Sequence, residues 1–154
     1  MDTEPIDILL VEDNPGDVFL INRMLEECPL RYTLHRVDNG EAATDFLRQI
    51  QAYPQAPLPQ LILLDLNLPI KNGREVLADI KSDPQLQHIP VIVLSTSNAP
   101  EDIEESYQLK ADYYVTKPSS FDEFTSKAQD IHNFWLRWQK ITKASHLPLP
   151  PLRE

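Results

Sequence analysis

The sequence predicts an α/β fold in which an open, doubly wound parallel sheet of five strands carries helices on both faces. Short apolar runs alternate with helical stretches along the whole chain, and the strongest runs are continuously apolar, as strands buried on both faces are. Each of those runs also ends at a polar residue. The 154 residues suffice for one ordinary domain and leave no room for a second folded module.

Residues 6–11 (Ile-Asp-Ile-Leu-Leu-Val) read as the first strand. Asn14 then places a capping side chain before Pro15, and Val18, Ile21 and Leu25 follow at helical spacing, which predicts a helix ending near Cys28 and Pro29. Residues 32–37 are a weaker strand, rich in β-branched and aromatic side chains, and a helix is expected from about 40 to 50. The most apolar strand is 61–64, with a helix over 74–81; another strand, 91–94, precedes a helix over 101–109. Glu101, Asp102, Glu104 and Glu105 load the N-terminal part of that helix favourably for its dipole. A short strand at 112–116 and a long helix over 121–143 complete the series.

Parallel strands need crossovers, and these are right-handed. Order 2-1-3-4-5 is the common five-stranded solution, although the order is not readable from the residues. The proline-rich stretches 54–59 and 148–151 read as a loop and a tail, which divides the chain into a domain over 1–143 and a tail over 144–154.

With 24 acidic against 14 basic residues and a formal charge of −10, the chain is a poor binder of a bare phosphate backbone, so direct contact with nucleic acid is not expected. Cys28 is the sole cysteine, which excludes an internal disulfide framework and suits a reducing compartment. The N-terminus lacks a basic and apolar leader and no apolar run approaches spanning length. A soluble, cytoplasmic protein without membrane contact is expected.

In an open parallel sheet, ligands bind beyond the carboxyl ends of the strands. There the first strand is followed by Glu12 and Asp13, the third by Asp65, the fourth by Ser95 and Thr96, and the fifth by Lys117 and Pro118. Clustered carboxylates repel unless a cation joins them, and a hard divalent ion such as Mg²⁺ prefers oxygen ligands. Beside such a metal and an ammonium, a carboxylate can act as nucleophile towards a phosphoryl group, and Asp65 is the central candidate. Any one of these residues alone is better read as a turn former. Agreement at four strand ends favours a site.

These segments resemble the receiver domains of two-component response regulators, over about residues 6–140. The resemblance is carried by Ile8 to Asn14, Leu61 to Pro69, Val91 to Ser95 and Tyr114 to Pro118. Within the family the chain looks similar to single-domain regulators that partner cyanobacterial phytochromes, judged from Asp65 to Pro69, Gly73 to Leu77 and Phe134-Trp135-Leu136. The resemblance implies the flavodoxin-like order 2-1-3-4-5 and a phosphoryl group taken by Asp65 from a histidine kinase of the phytochrome photoreceptor type. It implies a Mg²⁺ site made by Glu12, Asp13, Asp65 and Asn67, with Asp13 a direct ligand, Glu12 acting through water and Asn67 offering its backbone carbonyl. It implies that Lys117 contacts the phosphoryl group before a cis peptide to Pro118, and that Ser95 and Tyr114 are the switch pair. Ser95 is preferred to Thr96 because it directly closes the apolar run.

The scattered histidines and Cys28 suggest packing only, and Gly73 is expected to serve the turn before the third helix through a positive φ. The last helix carries more apolar residues than closing the sheet should need. Phe134, Trp135 and Trp138 are either core or an exposed patch that binds a partner, with a symmetric homodimer through the fourth helix, fifth strand and fifth helix as the expected form. Three functions remain open: a phosphorelay receiver signalling to a downstream protein target, a phosphate-independent interaction module, and a phosphatase or cofactor enzyme of similar fold. The last lacks any visible cofactor motif or further acid and base, so a non-enzymatic switch is expected.

Overall fold

The computed structural model describes residues 4–144. The proline-rich stretch at 148–151 lies outside them. The elements run β1 (Ile6–Val11), α1 (Pro15–Glu26), β2 (Tyr32–Val37), α2 (Gly40–Arg48), β3 (Leu61–Asp65), α3 (Gly73–Ser82), β4 (Val91–Ser95), α4 (Pro100–Gln108), β5 (Tyr113–Thr116), a 3₁₀ turn (Phe121–Glu123) and α5 (Phe124–Ala144). All four strand pairings are parallel and the order is β2-β1-β3-β4-β5.

Alternation along the strands divides the interior into two layers. Leu9, Val11, Ile62, Leu64, Val91 and Val93 face a core shared with α2, α3 and α4. Ile8, Leu10, Leu61, Leu63, Ile92 and Leu94 face one shared with α1 and α5. β1, β3 and β4 are therefore buried on both sides, which is why their sequences are continuously apolar. None of the described helices is long and apolar enough to cross a membrane.

Local chemistry fixes the ends of the elements. Asn14 caps α1 by accepting from the Asp17 N–H at 3.0 Å. α2 stops at Arg48, short of the expected residue 50, because Gln49 adopts a left-handed φ of 58° and Ile50 N–H turns back to the Asp45 carbonyl at 3.0 Å. No glutamine preference announces that stop.

Two expectations are corrected here. Gly73 has no positive φ and opens α3; a Cβ there would lie 2.3 Å from the Asp65 carbonyl oxygen and 2.5 Å from Leu66 Cα. Glycine is needed for close approach of α3 to the chain leaving β3, and not for a turn. The peptide from Lys117 to Pro118 is trans, as are the other described peptide bonds, and trans is the intrinsically favoured isomer.

Because backbone atoms bar a Cβ at residue 73, Gly73→Ala should lower stability by about 1–3 kcal/mol, as overpacking does. The urea midpoint should fall at constant slope. An unchanged midpoint would mean that the β3–α3 connection yields freely.

Candidate functional site

The strand order places the carboxyl ends of β1, β3 and β4 side by side with β5 next to them, so the polar residues that close these strands become neighbours. Glu12 continues β1: its N–H donates to the Val37 carbonyl at 3.1 Å and its carbonyl accepts from Arg36 Nε at 3.2 Å. The carboxylate is thereby turned inwards, with only 1% of the residue exposed. Asp13, next in the chain, is exposed. Asp65 ends β3 and is 5% exposed, its Oδ1 accepting from the Asn67 N–H at 3.0 Å. Lys117 follows β5, where its N–H donates to the Ser95 carbonyl at 2.7 Å.

The Lys117 ammonium is the electrostatic centre. It donates to Asp17 Oδ2 at 2.9 Å and to Asp65 Oδ2 at 3.2 Å, and lies 2.7 Å from Glu12 Oε1. The Glu12 contact is an ion pair without hydrogen-bond angles, so that buried oxygen has no directed donor. Burial pushes the Glu12 carboxyl up to about 7, opposed by Lys117 and aided by the Asp65 charge. Burial also works against the Lys117 ammonium, but Glu12 and Asp17 outweigh it and hold its pKa above the usual lysine value.

Carboxylate oxygens of Glu12, Asp13 and Asp65 all lie within 4.8 Å of one another. An all-oxygen set with one oxygen lacking a directed donor suits a hard divalent cation. The same edge presents a nucleophilic carboxylate, Asp65, with an ammonium beside it, the minimum for accepting a phosphoryl group.

Ser95 is the buried hydroxyl at the end of β4, whereas Thr96 is exposed. Ser95 Oγ accepts from the Ser97 N–H at 3.1 Å, and the Tyr114 hydroxyl donates to the Ser97 carbonyl at 2.7 Å. Asn67 is exposed in the loop after Asp65. In that loop Ile70 has a φ of 68° and Lys71 N–H bonds to the Pro69 carbonyl at 2.7 Å, a γ-turn of the strained hand centred on a β-branched side chain.

The aromatic residues of α5 are not part of this constellation, and they do not form the exposed patch considered above. Phe134 and Trp135 are 2% and 6% exposed and belong to the core, while Trp138 is partly buried against it. Phe134 stacks on Tyr113 with centroids 5.4 Å apart and on Trp138 at 5.8 Å. Burying such rings within the protomer is worth about 1.5–3 kcal/mol each and, unlike a dimer contact, loses no translational freedom.

Two residues of the site were missed in the sequence. Asp17 was hidden as an acidic residue in the first turn of a helix, where the dipole accounts for it; its place in the first turn of α1, directly after the Glu12-Asp13 strand end, is the signal that could have put it on the same edge. Ser97 meets Ser95 and Tyr114 through its backbone N–H and carbonyl, and those two contacts leave no sequence trace.

Comparison with known proteins agrees with this geometry. Residues 8–129 match the family described as response regulator receiver domain. The chain is 45% identical over 129 residues to the response regulator Rcp1 of Synechocystis sp., covering 84% of this chain and 88% of that protein. It is similar to the crystal structure of the Mn²⁺-bound form of Rcp1, with TM-score 0.76 and 45% identity over 86% of this chain and 95% of the other. The crystal structure of the phosphorylated cyanobacterial phytochrome response regulator RcpA gives TM-score 0.77 and 46% identity at the same coverage, 86% and 95%.

A divalent ion that binds only the folded chain must stabilise it, by about 2.7 kcal/mol at a hundred times its Kd. Mn²⁺ or Mg²⁺ should therefore raise the melting temperature. Asp13→Asn should abolish most of that rise and leave the metal-free protein folded, since the side chain is exposed. A full metal response in the variant would locate the ion elsewhere.

Proposed function

We infer the function from the family to which this chain belongs, that of the response-regulator receiver domains. The chain is a phosphorylation-dependent signalling switch. Asp65 accepts a phosphoryl group from a partner histidine kinase, of the phytochrome photoreceptor class, and the altered surface is read by a downstream protein target. The observation that carries this is the buried Asp65 carboxylate, with an ammonium 3.2 Å from one oxygen and two further carboxylates gathered beside it.

Asp65 Oδ attacks phosphorus while the bond to the kinase imidazole breaks, the electron pair leaving with the ring nitrogen. Lys117 keeps its proton throughout and offsets charge on the phosphoryl oxygens. Glu12, Asp13 and Asp65, with the Asn67 carbonyl, would hold a divalent ion, which would supply the remaining positive charge; Mg²⁺ suits these hard oxygens. The contacts at Ser97 support a relay from Ser95 to Tyr114. If Ser95 Oγ turns to the phosphoryl group, the Ser97 N–H loses its acceptor, and the carbonyl that Tyr114 grips moves with that peptide. A cytoplasmic address, the domain over 1–143 and a symmetric dimer through α4, β5 and α5 belong to the same proposal. With Phe134 and Trp135 buried, the exposed Leu136 and the partly buried Trp138 and Ile141 are left as apolar contributions of α5.

Incubation with acetyl phosphate and Mg²⁺ should add one phosphoryl group by mass spectrometry, and Asp65→Asn should add none. Undiminished labelling of that variant would refute the acceptor. For the dimer, sedimentation with beryllium fluoride should show association at tens of micromolar; a monomer with and without it would end that part of the proposal.

A further inference from the structure

We propose that Asp17 is a positioning residue that holds the Lys117 ammonium at the mouth of the site, so that Lys117 remains aimed at a group on Asp65 when Glu12 and Asp65 are engaged by a cation. This rests on Asp65 being the acceptor. Of the three carboxylates around Lys117, Glu12 and Asp65 also belong to the acidic triad, whereas Asp17 does not. Once triad oxygens turn to a cation their hold on the ammonium weakens, and substitution of Asp65 Oδ2 removes the contact made there. Asp17 alone is left with no competing task. Its bond to Lys117 is also the shorter of the two with directed geometry, 2.9 Å against 3.2 Å.

The backbone of Asp17 is fixed, because its N–H is the one bound by the Asn14 cap. The carboxylate therefore stands on a rigid helix start while its lysine hangs on a flexible four-carbon stem. Asp17 and Lys117 together line a cavity of about 490 Å³, with Thr96, Asn98, Pro118 and Lys127 on its other walls. Without the tether the ammonium can swing into that open space and be solvated there.

The test compares the affinity of the whole chain for beryllium fluoride in saturating Mg²⁺ with its affinity for Mg²⁺ alone, both followed by amide NMR shifts. Asp17→Asn keeps the shape and loses the charge. Beryllium fluoride binding should weaken about tenfold, as for one charge-assisted hydrogen bond lost. Mg²⁺ affinity should change less than about threefold, since a charge outside the ligand set acts only through a screened field. Asp17→Glu should restore most of the loss, and the Lys117 ammonium ¹⁵N signal, protected in the parent, should vanish in Asp17→Asn. Unchanged or tighter beryllium fluoride binding would make Asp17 a bystander or a competitor, and an equal loss of Mg²⁺ would make it a general contributor to the field. Each of those overturns the tether. Failure of the parent to bind beryllium fluoride, or parent-like binding by Asp65→Asn, would instead remove the acceptor assignment and this inference with it.

Discussion

The arrangement depends on one ammonium shared among buried carboxylates. Glu12 and Asp65 are withdrawn from water at the ends of two strands, and among the described residues Lys117 is the cation that pairs with both. Removing one partner of such a buried set typically costs about 3–5 kcal/mol, because a charge is left unpaired in a poor solvent. The sheet delivers the partners: β1 pairs β3, β3 pairs β4 and β4 pairs β5 in register, so consecutive strand ends deliver Glu12, Asp65, Ser95 and Lys117 to one edge. The N–H bond from Lys117 to the Ser95 carbonyl holds the fifth strand to the fourth at that level. Four carboxylates to one ammonium is nevertheless an unbalanced set; burial is the main cause of the raised Glu12 pKa, and the nearby Asp65 charge adds to it.

The loop after Asp65 is held from two sides. Gly73 lets α3 approach the Asp65 and Leu66 backbone, and Gly40 lets α2 approach Lys71, whose carbonyl would lie 2.0 Å from a Cβ at residue 40. The Lys71 ammonium bonds to Thr44 and Asp79, tying α2, the loop and α3 together. Such anchoring is what permits Ile70 to remain in its strained turn, since a strained backbone persists only where its surroundings over-determine it. The strain sits five residues from the Asp65 carboxylate, in a loop whose apolar tip is 77% exposed.

The elements that were legible in the sequence are those whose burial is uniform. Runs such as Leu61 to Leu64 and Val91 to Leu94 are buried on both faces and can be little else than central strands. The carboxylates were legible because each directly follows such a run. Elements set by tertiary contact were not: Gln49 ends a helix without a breaker's chemistry, Gly73 answers to atoms eight residues earlier, and Asp17 joins the site across a helix turn and a strand end. The aromatic stripe of α5 was ambiguous for a related reason. Spacing gives the width of an apolar face, but only the partner surface, here Tyr113 on β5, decides whether that face is covered.

That coverage constrains how a signal can leave the site. Tyr113 and Tyr114 are adjacent on β5 and point into opposite layers, the first against α5 and the second into the core shared with α4. Phe134 stacked on Tyr113, with Trp135 buried beside it, anchors α5 to the sheet on a side that Tyr114 does not touch. Tyr114 instead meets Ser97 through its hydroxyl, and Ser97 Oγ in turn donates to Asp102 in the first turn of α4. Tyr107 and the partly buried Ile103 of α4 share its layer. A displacement of the Tyr114 ring therefore acts first on the β4–α4 connection and on α4, where the packing is polar and partial. It reaches α5 only through β5 itself, against aromatic contacts that resist it.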